Sequence, residues 1–244
     1  MKENKYDNEK FFNEYKKMSR SVNGLSGAGE WHELKKMLPS FKNKRVLDLG
    51  CGFGWHCKYA IEQGAQSVIG VDLSENMLEE ARKINNDNNI EYINMPIEDV
   101  NYPKDSFDVV LSSLTFHYIK SFSDICNKVY DCLSKDGEFI FSVEHPVFTA
   151  EGSQNWYYDE DGNRLHWPVD NYYIEGQRTS IFLGEEVKKY HKTMTTYINT
   201  LIKNGFEITG VVEPMPEESM LMDNKEMQDE LRRPMMLIIS ARKK

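Results

Sequence analysis

The sequence predicts an α/β protein built on a doubly wound, mostly parallel sheet, and three observations carry that expectation. An apolar segment, Arg45 to Leu49, runs into a turn holding Gly50, Gly52 and Gly54, where positive φ and close backbone approach carry no steric cost. A helix-length stretch follows Trp55, and the free N–H groups of a first helical turn can meet polar ligand atoms. A second apolar segment, Val68 to Val71, ends in Asp72, whose carboxylate can accept two ribose hydroxyls at once. Together they form the first half of a nucleotide-binding sheet, with ligand over the carboxyl ends of the strands.

The glycine spacing decides which nucleotide. A dinucleotide fingerprint requires Gly-x-Gly-x-x-Gly. Counted from Gly50 its third position is Trp55, and counted from Gly52 it is Cys57, so it fails in both registers. The run is instead Asp-x-Gly-x-Gly-x-Gly, starting at Asp48. It resembles motif I of the class I S-adenosylmethionine-dependent methyltransferases. That resemblance implies that the loop from Gly50 to Trp55 underlies the amino-acid and ribose portions of the cofactor, with Cys51 contributing its backbone N–H. Asp48 and Asp72 match the two acids of the family, the second being the ribose ligand.

Downstream segments extend the resemblance, which covers residues 40 to 145 closely. Leu73 and Ser74 lead into Glu75-Asn76-Met77-Leu78, with Ser74 as the helix N-cap, and the resemblance places Met77 on the adenine. A third strand, Glu91 to Asn94, is followed by Met95-Pro96-Ile97-Glu98-Asp99. Pro96 stands where the family often has an Asp for the adenine amino group. Ile97, Glu98 and Asp99 are therefore the expected adenine-side residues, with a backbone carbonyl as the alternative acceptor. Phe107 to Tyr118 resembles the fourth strand and its loop, which brings Ser112, Leu114 and His117 to the cofactor.

Before the sheet, residues 7 to 38 read as two helices. Phe11, Tyr15 and Met18 recur at helical spacing, as do Trp31, Leu34 and Leu38 before Pro39. One reading is core packing. The other is a lid in which Tyr15, Met18 and Arg20 close over the cofactor, Arg20 facing its carboxylate, with the Gly-rich bend from Gly24 to Gly29 as hinge. After the fourth strand, Ile125, Val129, Cys132 and Leu133 mark a helix, and Asp136-Gly137 turns into strand Glu138 to Val143.

Residues 146 to 187 hold eight aromatics, among them Trp156, Tyr157, Tyr158 and Trp167, with a hairpin signal at Asp161-Gly162. They read as a β insertion over the sheet edge that lines the acceptor pocket, or alternatively as a subdomain with its own small core. A helix from Met194 to Ile202, a strand from Phe206 to Val212 and a last strand from Met235 to Ala241 complete the chain. The family pattern makes the order 3-2-1-4-5-7-6 with strand 7 antiparallel. One domain spans residues 1–244, divided into N-terminal helices (1–40), a cofactor-binding half (41–145), the insertion (146–187) and a C-terminal part (188–244).

Composition narrows the function. Acidic residues outnumber basic ones 39 to 30, a net charge of −9, with no clustered basic run for a phosphate backbone. The place after strand 4 reads Ser112-Ser113-Leu114-Thr115 rather than the Asn/Asp-Pro-Pro-Tyr/Phe of amino-methylating nucleic-acid enzymes. The four cysteines have no metal spacing, no secretory signal is evident, and no apolar run approaches the ~20 residues of a membrane span, so a cytoplasmic setting is expected.

Methyl transfer is an in-line displacement, and a general base is needed only when the acceptor is protonated at attack. His117 and His145, at the ends of strands 4 and 5, and His191, after the insertion, are the candidate catalytic residues. Glu144 lies beside them. His32 reads as helix surface, His56 as a cofactor-carboxylate contact or an exposed residue, and His166 as a cavity residue. The expectation is a methyltransferase for a small, partly apolar or aromatic molecule, acting as monomer or homodimer, with no nucleic-acid, membrane or metal partner. A cofactor-binding regulatory protein without turnover is the alternative, and a nicotinamide oxidoreductase is disfavoured by the failed fingerprint.

Overall fold

The computed structural model describes residues 4–222 and 225–244. Three short helices, α1 (Glu9–Tyr15), α2 (Ser19–Val22) and α3 (Trp31–Met37), precede β1 (Arg45–Leu49) and α4 (Trp55–Glu62). The alternation continues with β2 (Ser67–Asp72), α5 (Glu75–Ile84), β3 (Ile90–Asn94), β4 (Phe107–Ser113), α6 (Phe122–Cys132) and β5 (Leu133–Glu144). Beyond it come α7 (Pro146–Thr149), β6 (Tyr157–Tyr158), β7 (Arg164–His166), β8 (Gly176–Phe182), β9 (Glu185–His191) and α8 (Met194–Lys203). The chain ends with β10 (Phe206–Val212), α9 (Glu218–Leu221), α10 (Lys225–Asp229) and β11 (Met236–Lys243).

The main sheet runs β3-β2-β1-β4-β5-β11-β10. Pairs among the first five strands are parallel, and β11 is antiparallel to both β5 and β10. This is the expected order. Parallel strands need helical crossovers, which cover both faces, and so the central strands are apolar on both sides. On one face Phe116, Phe122, Ile125, Phe139, Phe141 and Tyr197 are buried between the sheet and α6 and α8. On the other, Leu34, Cys57, Ala60 and Leu78 of α3, α4 and α5 pack on Val46, Val109 and Ile140.

Three segments differ from the sequence reading. The N-terminal region breaks into short pieces because Met18 is extended (ψ 147°). Its glycine bend is tightly packed rather than a free hinge: a Cβ on Gly24 would stand 2.9 Å from the Trp55 ring, and one on Gly27 2.2 Å from the Ser19 carbonyl oxygen. Strand β5 starts at Leu133, directly after α6, and Asp136 absorbs the turn at φ 61° within the strand. The insertion forms two separate hairpins, β6–β7 and β8–β9, the second extending to His191. The first turns at Asp161-Gly162, as the sequence predicts. The second turns at Leu183-Gly184, both at positive φ, as a tight two-residue hairpin demands.

Candidate functional site

The carboxyl ends of β1, β2, β4 and β5 converge under the N-terminal helices. In the glycine loop the Gly50 and Cys51 N–H groups both donate to the Val71 carbonyl, at 2.8 and 3.0 Å. Cys51 therefore spends its N–H inside the loop, not on a ligand. Gly52 N–H donates to Asp72 Oδ2 and Ser74 N–H to Asp72 Oδ1, both at 2.9 Å. The Asp72 carboxylate thus ties the loop to the start of α5 and keeps a lone pair on each oxygen for an incoming hydroxyl pair. Burial pushes its pKa up against the pull of the two backbone N–H groups.

The three glycines do different work. A Cβ on Gly50 would lie 2.2 Å from Thr115 Oγ1, and one on Gly54 2.2 Å from the Tyr92 hydroxyl oxygen. A Cβ on Gly52 would meet nothing within 4 Å. Gly50 and Gly54 are required by packing, whereas Gly52 borders open space where a ligand can approach.

Asp48 is 1% exposed and accepts from the Cys57 thiol at 3.3 Å, so it braces the loop from beneath rather than facing a ligand. Burial pushes its carboxyl up to about 7. A carboxyl that holds its proton more tightly when folded stabilises the protein at low pH, and that contribution is lost as pH rises from about 4 to about 7. Asp48→Asn has no proton to lose. Its melting temperature is expected to gain on the wild type across that window, and a pH-independent difference would rule out the raised carboxyl.

A roof lies over the strand ends. Asp7 accepts from Ser74 Oγ (2.5 Å) and Asn76 N–H (3.2 Å) at the start of α5. The Tyr6 ring meets Phe11 and Tyr15 edge-on, each at 5.1 Å, its hydroxyl lies 3.4 Å from that of Tyr118, and Tyr15 reaches Phe53 in the loop at 5.8 Å. The β8–β9 hairpin closes the other side through Lys10–Glu185 (3.1 Å) and Phe11 against Phe182 (5.8 Å). Beneath, Arg20 pairs with Glu30 at 2.8 Å, and Ser113 Oγ donates to the same Glu30 oxygen at 3.0 Å. Among the described residues, the second Glu30 oxygen and the Trp55 indole N–H are buried without partners.

The other sequence-predicted positions fall around this centre. Met77 and Ile97 are buried, the latter in a short turn that also holds Glu98 and Asp99. The Leu73 carbonyl is taken by Asn94 and Asn4, and Leu114, at φ 52°, donates its N–H to Ser142. Ser112 Oγ donates to the Leu49 carbonyl at 2.7 Å, a strand-to-strand tie.

The three candidate histidines separate. His117 is buried, and its Nδ1 accepts from the Glu144 N–H at 3.3 Å, so the ring proton sits on Nε2. Burial lowers its pKa to about 3. His145 caps α7 through Nδ1, which accepts from Val147 N–H at 3.0 Å, and its Nε2 faces Glu213 at 2.8 Å. His191 takes the Thr149 hydroxyl on Nδ1 (2.8 Å) and the Tyr172 carbonyl on Nε2 (2.9 Å). His191 takes a structural role, since both its ring nitrogens are used, whereas His145 is tied to α7 through Nδ1 alone and its buried Nε2 lies against the Glu213 carboxylate. His56 is neutral, its pKa lowered by burial to about 4, and it packs edge-on against Trp31.

Beside His117 lies a buried network that no residue spacing announces: Lys189 donates to Glu144 (2.6 Å) and Gln154 (2.7 Å), and Gln154 donates to the other Glu144 oxygen (2.7 Å). Asp7, Tyr6, Glu30 and Tyr118 were likewise missed, since they meet only through the tertiary fold. Trp156 and Trp167 do not face the strand ends. Trp167 stacks on Phe148 (4.9 Å) and meets Trp156 edge-on (5.3 Å), with the Arg233 guanidinium 4.1 Å from the Trp167 ring centre. This is the small separate core of the alternative reading.

Comparison with known proteins places this geometry. Residues 47–141 match the description of a methyltransferase domain. A Listeria monocytogenes structure, described as a proposed S-adenosylmethionine-dependent methyltransferase, is 62% identical over 91% of this chain and 99% of its own, with TM-score 0.86. The S-adenosylmethionine-dependent methyltransferase from Mesorhizobium loti is 43% identical over 90% of this chain and all of its own, with TM-score 0.83. A Histophilus somni tRNA U34 carboxymethyltransferase is 35% identical over 59% of this chain, which spans only 42% of that relative.

The residues present fit the cofactor. Asp72 offers two oxygens to a ribose, Gly52 leaves space beside them, and the unpartnered Glu30 oxygen and Trp55 N–H are an acceptor and a donor for an amino-acid zwitterion. With motif, sheet order, loop geometry and relatives in agreement, the chain belongs to the class I S-adenosylmethionine-dependent methyltransferase family and is an enzyme that uses this cofactor.

Proposed function

We propose that the chain methylates a small molecule whose attacking atom already carries a free lone pair, such as an unprotonated amine, a thiolate or a carboxylate. One observation carries the reading: beside the acceptor position the groups that could take a proton, His117, Glu144 and the three tyrosines Tyr6, Tyr15 and Tyr118, are engaged or neutral. The His117 tautomer makes Nε2–H a donor that can orient an acceptor atom but not deprotonate it. Glu144 is held ionised by Lys189 and Gln154. Burial raises the pKa values of Tyr6, Tyr15 and Tyr118, which keeps them neutral phenols.

In this reading Asp72 holds the ribose, Glu30, Arg20 and Trp55 meet the amino-acid end, and Met77 and Ile97 line the adenine side. The bound cofactor supplies an electrophilic methyl group on its sulfonium. The chain's own work is to align the acceptor under His117 and Tyr118 and to exclude water beneath the roof. Joined lids from α1 and the β8–β9 hairpin, with a net charge of −9, support a small acceptor over a nucleic acid.

The relative that acts on tRNA makes a nucleic-acid acceptor the competing reading. The test measures S-adenosylhomocysteine release with amines, thiols and carboxylic acids of graded pKa, and with unmodified bulk tRNA. Turnover is expected with a small acceptor, and its pH profile should follow the acceptor's own pKa. Methylation of tRNA with none of the small acceptors would overturn the substrate class. A rate governed by an enzyme group, unmoved as the acceptor pKa changes, would overturn the lone-pair argument.

A further inference from the structure

Lys128, on α6, reaches back to the turn that follows β3. Its Nζ donates to the Glu98 carbonyl at 2.5 Å and to the Val100 carbonyl at 3.0 Å. The turn closes on itself elsewhere, Asp99 N–H donating to the Pro96 carbonyl at 2.9 Å and Val100 N–H to the Ile97 carbonyl at 3.4 Å. Ile97 and Val100 are each 4% exposed and anchor it in the core. Burial of that kind is non-directional. The orientation of the turn is therefore left to the two directional bonds from Lys128.

Those bonds have no ready substitute. Two carbonyl oxygens converge on one ammonium group, and without it both would lose a partner while their dipoles repelled. The turn would then swing away from α6.

Its place in the fold makes that movement matter. Asn94 pairs with Asp72 across β3 and β2, and Met95 N–H donates to the Asp72 carbonyl at 2.9 Å, so the turn begins beside the proposed ribose ligand. With the ribose on Asp72, the attached base lies toward Pro96 to Asp99. We infer that Lys128 is a positioning residue for adenine: its ammonium group orients this turn so that the turn reads the hydrogen-bonding edge of the base. The inference rests on the cofactor placement proposed above and is independent of the methyl acceptor. A merely structural clamp would weaken all ligands alike, whereas a positioning residue weakens only those whose base is read.

The experiment is calorimetric titration of the full chain with S-adenosylhomocysteine and with S-inosylhomocysteine. In the second ligand a carbonyl replaces the 6-amino group and N1 carries a proton, so both groups reverse their hydrogen-bonding sense. The wild type is expected to prefer the adenine ligand by about tenfold or more. Lys128→Met keeps the side-chain length without a donor. There S-adenosylhomocysteine should weaken by about tenfold and S-inosylhomocysteine hardly at all, leaving the two within about threefold. Lys128→Arg keeps donors on a cation and should retain most of the preference. If Lys128→Met does not fold, Lys128→Gln, shorter and uncharged, is read by the same ratio. An undiminished preference in the uncharged variants, or equal weakening of both ligands, overturns the inference. So does a preference lost equally in Lys128→Arg. A wild type that binds the two ligands alike overturns the adenine placement itself and takes the inference with it.

Discussion

Asp72→Ala is expected to lose about 3 kcal/mol of cofactor binding, more than a hundredfold in Kd, measured by calorimetry with S-adenosylhomocysteine. The two charge-assisted hydrogen bonds proposed between Asp72 and the ribose would disappear. The same truncation also frees the Gly52 and Ser74 N–H groups, which the carboxylate holds at 2.9 Å each. The loop and the start of α5 would then lose their common anchor, so preorganisation falls along with contact. Asp72→Asn is no milder substitute. Whichever way the amide turns, its NH₂ meets one of two backbone donors, and that pairing repels. An alanine variant within threefold of wild-type affinity would place the ribose elsewhere.

Much of this centre was legible in the sequence because its chemistry is local. Asp48, the three glycines and Asp72 lie within one strand-turn-helix-strand unit, and the strand order follows from crossovers that parallel strands require. The roof was legible only as a helical stripe. That Tyr6 meets Tyr118, or Asp7 caps α5, depends on contacts across 112 and 67 residues, which no spacing encodes. Histidines misled for a related reason. Position at a strand end is readable, but the state of each ring nitrogen is set by distant partners such as Glu213 for His145 and Tyr172 for His191. In the insertion the aromatic density was real, but Arg233, 66 residues beyond Trp167, turned it into a separate core.

Replacing the loop glycines should separate stability from binding. Gly50→Ala puts a methyl group 2.2 to 2.8 Å from three Thr115 atoms at φ 78°. Strain at positive φ and overpacking then combine to about 3 kcal/mol of lost stability. For a chain of this size that is a fall of roughly 6–12 °C in melting temperature. Adding Thr115→Ala removes the two nearest atoms but keeps the Cβ of residue 115, 2.8 Å away, so it should return part of the loss and leave the backbone strain with a residual close contact. Gly52 behaves otherwise. Its Cβ would enter open space, so Gly52→Ala costs only the positive-φ strain, on the order of 1–2 kcal/mol of stability. In the proposed reading the cofactor approaches through that space, so affinity should fall more than stability does. Gly52→Val, with a β-branched side chain at φ 52°, should weaken binding further than alanine. Melting curves with and without S-adenosylhomocysteine read both quantities in one experiment, since a ligand that binds only the folded state raises the melting temperature by its own affinity. If Gly52→Val kept the full ligand-induced rise, the backbone at residue 52 would not be in contact with the cofactor.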